Sequence, residues 1–121
     1  MPIVGGGAAG IELAFGMKAR WSQLFNDGTL TASVNVTLLN SGEKLMATEN
    51  EMCRHATNAA LESRGIKVRH NCRVMEVTAT HVSLACGDAV PAEHVIWATG
   101  AACHPLAETL RDRGLAVDDR N

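Results

Sequence analysis

Six residues near the start of the 121-residue chain, Gly5-Gly6-Gly7-Ala8-Ala9-Gly10, carry the spacing G-x-G-x-x-G. Their chemistry is that of the backbone. Gly5 permits a tight turn, Gly7 leaves room for a pyrophosphate against the main chain, and Gly10 lets a helix pack closely on the preceding strand. The free N–H groups of the first helical turn, together with the helix dipole, then hold phosphate charge. The alternative is a close-packed strand-to-helix turn that binds nothing. Three glycines at a helix start carry a large entropic cost for packing alone.

Loops of this kind work with an acidic residue at the end of the second strand, which holds the ribose hydroxyls. Here that place falls to Asn40, followed by Ser41-Gly42-Glu43-Lys44. Asparagine also hydrogen-bonds a ribose. Lys44 offers charge to a 2′-phosphate and Glu43 opposes it, so the residues favour NADH over NADPH. The separation of Asn40 from the loop exceeds the usual ~20 residues. The polar connector 26–33 is the expected insertion.

A strand, a helix and a second strand must hold these residues. Residues 2–4 read as the end of a buried strand, with Pro2 tolerable at its first position. Three residues are few against the usual ~5–6, so the strand is expected to be cut short, either by design or by a fragment boundary. Ile11, Phe15, Met17, Trp21, Leu24 and Phe25 recur at three- and four-residue steps and predict a helix from Ala8 to about Phe25. Asn26-Asp27-Gly28 stops it. The β-branched run 34–39 reads as a strand. Thr48-Glu49-Asn50-Glu51 reads as a capping box opening a second helix. Met52, Ala56, Ala59 and Ala60 form its expected inner side, and Gly65 its left-handed end. Residues 66–70 form the next strand. Three short β segments follow at 73–78, 81–86 and 94–99. Tight connections at Ala79-Thr80 and Gly87-Asp88 suggest a meander. The last segment is apolar and ends at a glycine, as a buried parallel strand does. The order predicts an α/β fold: a Rossmann-like doubly wound parallel sheet in which a three-stranded β-meander replaces a crossover helix.

The bulk composition narrows the choices. A net charge of −2 gives no electrostatic footprint for nucleic acid or anionic lipid. No apolar run approaches the ~20 residues of a membrane span, and no signal-peptide pattern opens the chain. Cys53, Cys72, Cys86 and Cys103 lack CxxC or zinc-finger spacing. They read as buried, reduced thiols of a cytoplasmic protein. Cys103-His104 and His70-Asn71-Cys72 stand too close in sequence to hold one metal alone.

The stretches VGGGAAGIELA, RGIKVRHNCRVMEV, VSLACGDAVPAEHVIWATGA and RGLAVDDRN, in this order, span nearly the whole chain. Together they resemble the NAD(P)H-binding domain of the FAD-dependent pyridine nucleotide–disulfide oxidoreductase family. The WATGA ending is most similar to the branch with type II NADH dehydrogenases, including flavoprotein modules fused to selenophosphate synthetases. The resemblance implies two Rossmann-like domains in the family, of which this chain is the nicotinamide-side one. Glu12 then lies near the nicotinamide; its other reading is a helix-dipole partner in the first turn. Ala98, Thr99 and Gly100 then belong to the loop beneath the nicotinamide-side pocket. A residue near Val74 abuts the adenine, unless Val74 is simple core packing.

The resulting expectation is a single NAD(P)H-binding domain over residues 1–121, taking NADH or NADPH. Its partner is an FAD-binding domain of the same polypeptide, and FAD belongs to the full-length protein only. The isolated chain is expected to bind nucleotide without turnover, and to self-associate through the surface that would meet the FAD domain. The alternative is a free-standing nucleotide-binding or sensing module without redox chemistry.

Overall fold

The computed structural model describes residues 1–101 together with 109, 110, 113, 114 and 116. Cys103, His104 and most of the 113–121 stretch lie outside the described residues. Strand β1 (Pro2–Val4) leads through the glycine loop into helix α1 (Ala8–Asn26). Strand β2 (Thr37–Leu39), helix α2 (Glu51–Ser63) and strand β3 (Lys67–Arg69) follow. Then come β4 (Val74–Val77), β5 (His81–Leu84), β6 (Ala89–Pro91) and β7 (Ile96–Trp97).

Strands β3-β2-β1-β7 form one sheet in that order, and all its pairs are parallel. Strands β4-β5-β6 form a separate antiparallel sheet. The chain walks outward from β1 to β3, then returns through the meander to place β7 on the other side of β1. The doubly wound parallel sheet and the meander crossover are therefore as expected from the sequence.

Strand alternation divides the interior in two. Ile3 and Leu38 point to the helices, where they pack with Ile11, Ala14, Leu61 and Ile66. Val4 and Leu39 point the other way, onto Cys72, Val82, Leu84 and Ala92 beside the meander. A parallel sheet covered on both faces needs this apolar sequence on both sides of each strand.

Several expectations need correction. The β2 ladder begins at Thr37 rather than at residue 34, because β1 offers partners only from Pro2 onward. Helix α2 is capped by Asn50, whose side chain accepts from the Cys53 N–H at 2.8 Å; Thr48 and Glu51 do not form the expected box. The inner side of α2 is Cys53, Thr57, Ala60 and Leu61, while Met52, Ala56 and Ala59 are exposed. The third meander strand is β6, which pairs Pro91 with His81 and was not expected, while the 94–99 segment supplies the parallel strand β7 that its apolar run suggested. Cys72 is buried as expected, but Cys53 is half-buried and Cys86 is exposed. Gly65 does end α2 in the left-handed region, with φ +65°.

Candidate functional site

The glycine loop lies at the carboxyl end of β1, where the sheet order reverses between β2 and β7. In open α/β sheets, ligands bind in the crevice at such a switch point. Three glycines serve three different demands there. Gly5 has φ +125°, and a Cβ on it would fall 2.2 Å from the Ala98 carbonyl oxygen. A Cβ on Gly10 would fall 2.0 Å from the Gly5 carbonyl oxygen. These two close the loop on β7 and on α1. Around Gly7 nothing lies within 4 Å, so its backbone is open to a ligand.

Gly7 is also the N-cap of α1, and no side chain caps that end. The first-turn N–H groups of Ala8, Ala9 and Gly10 are thus left without a side-chain cap, which is the anion-binding arrangement of a helix start. No acidic residue stands in the first turn. The helix-dipole reading of Glu12 is therefore corrected: Glu12 sits in the second turn, exposed beside Ala9, Leu13, Gly16 and Met17.

Gly6, Gly7 and Ala8 share a cavity of about 420 Å³ with Asn40, Ser41, Gly42 and Lys44. The loop and the segment after β2, 32 residues apart from Ala8 to Asn40, thus line one space. Backbone bonds hold them: Gly5 N–H donates to Leu39 O at 2.9 Å, and Met46 N–H donates to Gly6 O at 2.9 Å. Asn40 is buried, 7% exposed. Its Nδ2 donates to the carbonyl oxygens of Gly42 at 2.9 Å and Lys44 at 3.0 Å. Its Oδ1 faces Gly6, where an added Cβ would lie 2.2 Å from it.

Not every expected site residue joins this cavity. Ala98 lies beside it through Gly5, and its N–H donates to Val4 O at 2.7 Å. Thr99 and Gly100 continue exposed beyond β7. Val74 packs against the second core, and Glu12 stands on the outer face of α1. Residues 46–49 complete the cavity wall and were missed by sequence reasoning. They follow no periodic pattern. Met46 holds φ +47°, unusual for a residue with a side chain, and sequence does not announce it.

Fold and site together define an α/β domain with a glycine loop at the switch point of its parallel sheet. The chain matches the pyridine nucleotide-disulphide oxidoreductase family over residues 1–121 and belongs to it. It is 31% identical over 111 residues to the demethylphylloquinone reductase NdbB of Synechocystis sp. (strain ATCC 27184 / PCC 6803 / Kazusa), covering 89% of this chain and 25% of that protein. It is likewise 31% identical over 109 residues to a probable NADH dehydrogenase of Dictyostelium discoideum, covering 88% of this chain and 24% of that one. The chain thus spans about a quarter of the length of the curated relatives it matches. Among solved structures, the ferredoxin reductase for the CYP199A2 system from Rhodopseudomonas palustris superposes with a TM-score of 0.75 at 20% identity, over 97% of this chain and 27% of that one. That likeness concerns the fold. Among the described residues, no helix is long and apolar enough to cross a membrane.

Proposed function

We propose that this chain is the NAD(P)H-binding domain of an FAD-dependent oxidoreductase, with the flavin held by another part of the polypeptide. The observation that carries the reading is the open backbone at Gly7, set at an uncapped helix start and facing the cavity shared with Asn40. An enclosed turn would fill that space with a side chain. The Dictyostelium relative, a probable NADH dehydrogenase, fits the same reading.

The nicotinamide, when bound, supplies a hydride to an acceptor ring placed against it. The residues of this chain bind and orient. The N–H groups of Ala8, Ala9 and Gly10 hold the pyrophosphate, with Gly7 leaving the backbone bare and Gly6 giving room to Asn40. The 40–44 loop takes the adenosine side, with Ser41 and Lys44 at its exposed rim. Ala98, Thr99 and Gly100 take the nicotinamide side, because β7 lies across β1 from β2. Glu12 near the nicotinamide and Val74 near the adenine belong to the same proposal, on family resemblance. A domain without the flavin partner positions one ring of two, so the chain alone is expected to bind without turnover.

Calorimetric titration of the chain with NADH, and separately with NADPH, tests the proposal. Binding is expected, and it is expected to vanish in Gly7→Val. Gly7 has φ −85°, which valine adopts, and open space around it, so that variant keeps its fold. Equal binding by Gly7→Val, or none by the unaltered chain, overturns the assignment of the loop.

A further inference from the structure

The proposed ribose position is occupied by an amide whose donors are already used. Nδ2 of Asn40 carries two hydrogens, and the carbonyl oxygens of Gly42 and Lys44 accept both, at 2.9 and 3.0 Å. His70 Nδ1 lies 3.5 Å from the same nitrogen. Acceptors on that side fix the orientation of the amide: nitrogen toward the 41–44 loop, oxygen toward Gly6. The backbone of Asn40 is pinned as well, its N–H donating to Arg69 O at 2.8 Å and its carbonyl accepting from Cys72 N–H at 2.9 Å. Asn71 N–H donates to Gly42 O at 2.9 Å.

We infer that Asn40 is a positioning residue, which straps the 41–44 loop into the shape of the cavity wall and leaves only its neutral Oδ1 to meet the ribose. The inference rests on the proposed nucleotide site and deepens it. Two consequences follow from the chemistry. First, a neutral oxygen accepts from a ribose hydroxyl and does not repel a 2′-phosphate, so NADH and NADPH bind within about five-fold of each other, the worth of roughly one hydrogen bond. Second, a carboxylate at this position acts here in the opposite sense to its usual one. An aspartate in place of the amide would set an anionic oxygen about 3 Å from two carbonyl oxygens and release the strap.

Asn40→Asp and Asn40→Ala, each titrated with NADH and NADPH at several pH values, test this. The strap predicts that Asn40→Asp weakens both nucleotides at pH 8, by about ten-fold or more. It also predicts recovery on acidification. A carboxyl facing two carbonyls holds its proton more tightly than usual, and once protonated it donates one hydrogen bond where the amide donated two. Partial recovery as the pH falls toward 5.5 is expected for Asn40→Asp and not for Asn40→Ala, each made also with His70→Gln to remove the neighbouring imidazole, a difference that a general structural lesion does not produce. Tighter NADH with weaker NADPH in Asn40→Asp, or affinities equal to the unaltered chain, overturns the inference, as does acid recovery in the alanine variant.

Amide hydrogen exchange separates this inference from the proposal beneath it. Release of the strap is expected to speed exchange at Met46 and Asn71, whose N–H groups bond across the loop, with no nucleotide present. If the unaltered chain binds neither nucleotide, the proposed function falls, and exchange still judges the strap: unchanged protection in Asn40→Asp refutes it.

Discussion

Replacing Gly10 by alanine sets a methyl group 2.0 Å from the Gly5 carbonyl oxygen, a backbone atom that does not swing aside. Alanine gains about 1 kcal/mol over glycine inside a helix. Overpacking against a rigid neighbour costs about 1–3 kcal/mol, and more where the loop must open. At 2.0 Å from a backbone atom the cost lies toward the upper end of that range, and a net loss of about 1–2 kcal/mol is expected in urea denaturation. Unchanged stability would mean that helix and strand are free to move apart there. Gly7→Val meets no such clash and loses only the preference of glycine over valine at an N-cap, so the two variants separate packing from ligand access within one loop. The individual tasks of these glycines were legible in the sequence, because each depends on backbone geometry within a strand-loop-helix unit. The use of Asn40 was not. Its partners are two carbonyls of an aperiodic loop, and no residue type encodes where a carbonyl points.

At the scale of elements, the start of α2 shows two capping candidates in competition. Thr48 and Asn50 are both good N-cap types, but the Asn50 side chain takes the Cys53 N–H. Asn50→Ala is expected to cost about 1 kcal/mol in chemical denaturation, and Thr48→Ala to stay within about 0.5. The reverse order of effects would restore the box that the sequence suggested. The inner side of the same helix was misplaced because alanines populate several of its faces and give weak directional information. Leu61, 1% exposed, marks the true side. Leu61→Ala is expected to cost about 2–5 kcal/mol by the same measurement, whereas Met52→Ala, at a position 82% exposed, leaves stability nearly unchanged. Strand β6 escaped notice for a related reason: Pro91 argues against a strand, and is tolerated here because β6 is an edge of the meander.

For the whole molecule, topology was the most legible feature. Strands β1, β2 and β7 announce themselves as short apolar or β-branched runs, β3 by its place after α2, and the two turns of the meander as tight breaks. Relations between surfaces were less so. Trp97 sits on β7, an edge of the parallel sheet, and is 57% exposed; Leu13 of α1 is 41% exposed. Apolar groups of this size at an open edge favour contact with another surface. In keeping with the proposed flavin-domain partner, the chain is expected to self-associate weakly. Sedimentation velocity should show a weight-average coefficient rising with concentration, and Trp97→Lys should lower that rise. A single species at all concentrations would remove this surface from consideration.

The pairing of β1 with β7 has a kinetic consequence. Ile3 aligns with Ile96, so this contact closes a loop of roughly ninety residues, whereas β1 reaches β2 across about 35. Local pairings recover their chain entropy early, and the long closure comes after them. Only that closure brings the Ala98 carbonyl against Gly5. During refolding, secondary structure should therefore develop before the environment of Trp97 settles, and competence to bind a nucleotide should arrive with the second event.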